Sequence, residues 1–153
     1  MNRLTLFILT ALLTGAAACS DKHERFGSFS RLPEKGWAYG DTVRITASRL
    51  ASTQEGRELR LGIRHRTDYP YRNLALEVTY TADGKVRRDT VIMELADRYG
   101  SWRGNGMGPL RQFEAPVFRK ASMPDSSEIT IRHVMKTDTL RGISEIGVLI
   151  DNR

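Results

Sequence analysis

The chain has 153 residues, one domain's worth, and carries 24 Lys and Arg against 18 Asp and Glu for a formal charge of +6. The basic residues are scattered among acidic ones, as on a solvated surface, and no nucleic-acid-binding motif is present, so nucleic acid is not an expected partner. A single cysteine excludes an internal disulfide, which leaves packing to supply the stability.

The N-terminus reads as a lipoprotein signal. Met1 to Arg3 is a short positive region, Leu4 to Leu13 is an apolar run, and Gly15 to Ala18 are the small residues a signal peptidase needs. A membrane-spanning helix needs about 20 apolar residues, and this run is shorter. Cys19 follows directly, where a thiol takes a diacylglycerol and becomes the new N-terminus. Two or more acyl chains are required for stable anchoring. Residues 1–18 are therefore expected to be a cleaved signal peptide. Residues 19–36, polar and containing Gly27, Ser28, Ser30 and Pro33, are expected to be a tether, and residues 37–153 the folded domain.

From Asp41 onward apolar residues recur at every second position, the pattern of half-buried strands. Val43, Ile45 and Ala47 alternate with Thr42, Arg44 and Thr46, and Leu59, Leu61 and Ile63 with Arg60 and Gly62. Leu74, Leu76, Val78 and Tyr80 form the next face. Asp83-Gly84 then supplies the positive φ angles of a tight hairpin into Val86–Leu95, with Val91, Met93 and Leu95 inward. Ile129, Ile131, His133 and Met135 share a later face, and Ile146, Val148 and Ile150 close the chain. No helical period intervenes, so an all-β antiparallel sandwich is expected, either immunoglobulin-like or jelly-roll.

Residues 97–109 hold Gly100, Gly104, Gly106 and Gly108 around Trp102, Asn105 and Met107. A phosphate loop must open a helix, and Pro109 with a strand-like Phe113–Phe118 follows instead, so the segment is expected to be a corner loop. His23, His65 and His133 lack metal-ligand spacing, and no cofactor is expected. His65 lies between Arg64 and Arg66, which would lower its pKa if they are close, and His133 belongs with the core. No serine sits in a nucleophile elbow, and Glu94 with Asp97 is a pair of acids without an evident cleft, so catalysis is not expected. Tyr69-Pro70-Tyr71 places two rings on a rigid turn, suited to capping the core, to a partner or to a sugar. Trp102, flanked by glycines that cannot shield it, is either a partner anchor, the reading preferred here, or a lid packed over its own core.

One set of residues together resembles the GldH-type gliding motility lipoprotein family of Bacteroidetes. It comprises Cys19, Arg64, Tyr69-Pro70-Tyr71, Asn73-Leu74, Asp89-Thr90, Leu95-Ala96-Asp97, Gly100, Trp102, Gly104, Gly106, Gly108, His133, Met135, Leu140, Gly142-Ile143 and Gly147. The resemblance implies a lipid-anchored, non-enzymatic envelope protein, placed in the outer membrane, whose partners belong to a motility machinery linked to a secretion system. Trp102, Tyr69, Tyr71 and Arg64 are then the candidate partner-binding residues. A surface glycan-binding lipoprotein is the alternative.

Overall fold

The computed structural model describes residues 25–48, 57–121, 123–124 and 126–152. The signal stretch and Cys19 lie outside them. Among the described residues the chain forms ten strands: β1 (Arg25–Arg31), β2 (Trp37–Ala38), β3 (Val43–Ala47), β4 (Arg57–Arg66), β5 (Asn73–Ala82), β6 (Lys85–Glu94), β7 (Leu110–Ala121), β8 (Ser127–His133), β9 (Thr139–Leu140) and β10 (Ile143–Asn152). The pairing is nested. β5 pairs with β6, β4 with β7, β3 with β8, β2 with β9 and β1 with β10, all antiparallel. One long hairpin has thus been rolled upon itself. Its cross-links, β10 with β4 and β5 with β8, close two four-stranded sheets in the orders β1-β10-β4-β7 and β3-β8-β5-β6. That is the jelly-roll arrangement of a β-sandwich, which decides between the two topologies the sequence left open.

Alternation along each strand decides which side chains enter the core. In β4, Leu59, Leu61, Ile63 and His65 face inward and are fully buried, while Arg60 and Arg64 face outward. Ile146, Val148 and Ile150 of β10 and Leu74, Leu76 and Val78 of β5 meet them in the same cluster. Each such side chain contributes about 1.5 to 3 kcal/mol on burial, and cutting Leu61 to alanine would cost about 2 to 5 kcal/mol. The β5–β6 hairpin turns on Asp83 and Gly84 at φ 50° and 70°, with Ala82 opposite Lys85. Two successive positive φ values match the right-handed twist of the flanking strands.

The expected tether is corrected from Arg25 onward. Arg25–Arg31 pairs along its full length with β10, Phe26 opposite Ile150 and Arg31 opposite Glu145. The residues that looked like linker, Gly27, Ser28 and Ser30, are strand residues on a sheet edge. Phe26 packs on the core, and Phe29 lies on the outer face of the sheet over Gly62 and Gly147. A Cβ on Gly147 would stand 2.6 Å from the Phe29 ring, and one on Gly62 would stand 2.7 Å from it. The two glycines therefore make the recess that seats the ring, and an apolar pair hidden among serines and glycines is too sparse to read as a strand.

Candidate partner-binding site

The nested topology sorts the connections to two ends. β1, β4, β6 and β8 finish, and β3, β5, β7 and β10 begin, at one end, so the connections 32–42, 67–72, 95–109 and 134–142 gather there. We call it the loop pole. The two-residue turn at Asp83-Gly84 and the start of β1 lie at the other end, the turn pole.

Where the β1-β10-β4-β7 sheet reaches the loop pole, its outer face carries a row of polar side chains across all four strands. Arg31 stands opposite Glu145, Glu145 opposite Arg64, and Arg64 opposite Gln112. Arg31 Nε lies 3.6 Å from Glu145, while Arg64 bonds Glu145 through Nη1 and donates from Nε to Gln112 Oε1 at 3.1 Å. The Arg64 guanidinium also sits 4.6 Å above the Phe29 ring. Arg64 is the hub of this row because it, unlike its neighbour His65, points outward. Next to the row opens a cleft of about 1310 Å³, bordered by Arg66, Arg111, Arg141, Met107 and Leu110 among others. Five arginines and three carboxylates, those of Glu34, Asp68 and Glu145, line it, and none of its lining residues is aromatic. Glu145 is shared by Arg31 and Arg64, and Asp68 binds Arg66 at 3.1 Å. Arg111 donates only to the carbonyls of Gly108 (2.9 Å) and Leu110 (2.8 Å), and the Arg141 side chain has neither an ion pair nor a hydrogen bond among the described residues. Met107 is 89% exposed and Leu110 45%.

The aromatic candidates lie on the other side of β4. Tyr69 is 3% exposed and its hydroxyl donates to Asn73 O at 2.9 Å, so it caps the core and offers no stacking surface. Burial pushes its phenol pKa well up. Tyr71 meets Tyr69 edge-on at 5.6 Å and is 38% exposed. Trp102 is half-buried. It packs on the core with its ring 4.7 Å from His65 and 6.5 Å from Tyr69. The ring is not lifted free on its glycines: a short hairpin, in which Ala96 pairs with Trp102 and Arg103 N donates to Leu95 O at 2.7 Å, folds it back onto its own sandwich and leaves one part exposed. The glycines let that hairpin approach. A Cβ on Gly104 would stand 2.1 Å from Gln112 O.

His65 is buried. Its Nδ1 donates to Arg66 O at 2.9 Å while Nε2 has no partner among the described residues. Its pKa is lowered, first by burial and then by the charge of Arg111; the flanking Arg64 and Arg66 are not the cause. His133 is likewise buried, with Nε2 donating to Trp37 O at 3.1 Å between the rings of Trp37 and Tyr39, and burial lowers its pKa too. Asp97 accepts from the backbone N–H groups of Tyr99 (2.8 Å) and Ser101 (2.9 Å), which holds its carboxyl below the usual range. Glu94 pairs with Arg103. These acids staple a loop. Among the described residues no three His, Cys, Asp or Glu side chains gather as metal ligands.

Of the sequence candidates, the fold brings Tyr69 and Trp102 together beside His65, with Tyr71 against Tyr69, and sets Arg64 apart, in the cleft. Arg111, Arg141, Glu145 and Gln112 were missed, because only strand register shows that they share one surface. The jelly-roll scaffold thus carries a polar cleft at its loop pole. The chain belongs to the GldH lipoprotein family, whose model matches residues 24–150. It is 25% identical over 157 residues to the gliding motility lipoprotein GldH homolog of Christiangramia forsetii, covering 95% of this chain and 93% of that one. Solved structures are more distant. An exo-β-1,3-galactanase of Phanerochaete chrysosporium with galactose gives a TM-score of 0.37 at 15% identity, covering 83% of this chain and 27% of that one. The dimeric latent PorU of Porphyromonas gingivalis gives 0.34 at 15%, covering 85% and 13%. Scores this low carry no inference about function.

Proposed function

We propose that the chain is a lipid-anchored envelope protein that serves a gliding motility apparatus, or the secretion system linked to it, by holding another envelope protein without catalysing a reaction. Cys19 is the acylated residue in this reading, and the outer membrane its location. The placement of the cysteine after Ala16-Ala17-Ala18, the lipoprotein family and the name of the Christiangramia relative support it. The observation that carries the binding role is the arginine-lined cleft, which concentrates exposed charge and exposed apolar side chains on one end of an otherwise regular sandwich. The glycan alternative draws no support from the cleft, whose lining holds no aromatic ring among the described residues, and would rest instead on Tyr71 and Tyr99, 38% and 77% exposed.

Crosslinking in intact cells followed by capture of the native lipoprotein and mass spectrometry tests the reading. Recovery of one or a few envelope proteins is expected, and their absence under conditions that capture a known membrane complex counts against it.

A further inference from the structure

We infer that the cleft at the loop pole receives an extended, acidic polypeptide segment, an inference that rests on the anchored binding module proposed above. Size is the first argument. About 1310 Å³ exceeds the range of roughly 300 to 1,000 Å³ typical of small-molecule pockets, and the cleft is open, as a site for a length of chain must be.

Charge is the second. Arg111 and Arg141 face the cleft without a carboxylate partner among the described residues, whereas Arg64 and Arg66 already have theirs. A guanidinium left in this state matches a carboxylate, which it binds through two parallel hydrogen bonds. Met107 and Leu110, exposed on the same rim, suit apolar side chains that alternate with the acidic ones. With no aromatic residue in the lining, a sugar has nothing to stack on.

Position is the third. Five residues separate Cys19 from Arg25, so the lipid can lie no farther than about 20 Å from the start of β1. β1 starts at the turn pole and runs seven residues, about 20 Å, to reach the cleft at Arg31. The chain thus enters the sandwich at the turn pole, and the cleft opens at the far end of that first strand.

The lipidated full chain in detergent is titrated with a fluorescent peptide alternating glutamate and leucine, and with a twin carrying glutamine for glutamate. The glutamate peptide is expected to bind at least about tenfold more tightly and to weaken as salt is raised. Arg111→Gln with Arg141→Gln is expected to reduce its affinity about tenfold or more. Arg141→Gln alone, whose side chain holds nothing in the fold, should show part of that loss with an unchanged unfolding midpoint. Equal binding of the two peptides, or unaltered binding to both variants, overturns the inference. So does competition by inorganic phosphate or by phosphatidylglycerol vesicles as effective as that of the peptide at equal charge, which would mark a simple anion or lipid site. Capture of an envelope protein from crosslinked cells alongside failure of the peptide would overturn the acidic segment and leave the partner-binding reading in place.

Discussion

Among the described residues the two poles of the sandwich differ in how much chain they spend beyond the strands. At the turn pole β5 and β6 join through Asp83-Gly84 alone. At the loop pole four longer connections converge, and with them Trp37, His65, Trp102, His133 and the cleft arginines. Strand regularity stabilises this fold, and in the reading proposed above the loops that cap one end supply its binding surface, a division common to rigid scaffolds that bind through their connections. The contrast has an internal cost. Two histidines with an unpartnered ring nitrogen, His65 and His133, are buried beneath those loops, and a buried polar atom without a partner detracts from stability.

Removing β1 is expected to have the largest effect, because it links the poles. Deletion of residues 25–31 from the otherwise complete chain uncovers β10 and unseats Phe26 and Phe29, at about 1.5 to 3 kcal/mol each, for a loss of about 3 to 6 kcal/mol in chemical denaturation. An unchanged midpoint would return this segment to the status of a tether. Trp102→Ala probes the loop pole next. Being half-buried, it should cost about 2 to 3 kcal/mol, below the roughly 3 to 5 kcal/mol of a fully buried aromatic. No stability loss together with weaker partner capture would restore it as an anchor.

Gly84→Val tests the turn pole. Nothing lies within 4 Å of a Cβ placed there, so the expected loss of about 1 to 2 kcal/mol comes from the positive φ alone. A smaller effect should distinguish the loop pole by pH. Because His65 and His133 have lowered pKa values when folded, the unfolded chain binds protons first as pH falls below about 6.5. Stability is therefore full above that pH and declines below it, by at most about 1.4 kcal/mol per pH unit for each histidine, until the folded pKa is passed. Replacing both by glutamine should flatten that part of the profile whatever it does to the midpoint; an unaltered slope would show that neither histidine is linked to folding.

This difference between poles also sets what the sequence discloses. Period-two alternation names the inward residues of β3, β4, β5 and β10 because burial on one face imposes it directly, and Asp83-Gly84 marks its turn because few other pairs take two positive φ angles. β1 escapes the same reading, since its outward Phe29 is buried by glycines on β10 and β4 that are distant in sequence. Trp102 misleads for a related reason: glycine neighbours look like exposure, yet here they permit the close approach that packs the ring. Arg64 was legible as a residue of interest, but its partners Glu145 and Gln112 lie 81 and 48 positions away, and only the nested pairing sets them side by side. His65 falls between two arginines in the chain, yet its pKa is lowered first by burial and then by a third arginine, Arg111.

The division of labour between the poles is tested most directly by photo-crosslinking in living cells from single positions, with a photoreactive residue placed at Met107 or Arg141 on the loop pole and at Lys85 beside the turn. Adducts to an envelope protein are expected from Met107 and Arg141, with none to protein from Lys85. Protein adducts from Lys85, with Met107 and Arg141 silent, would contradict the assignment of binding to the loop pole.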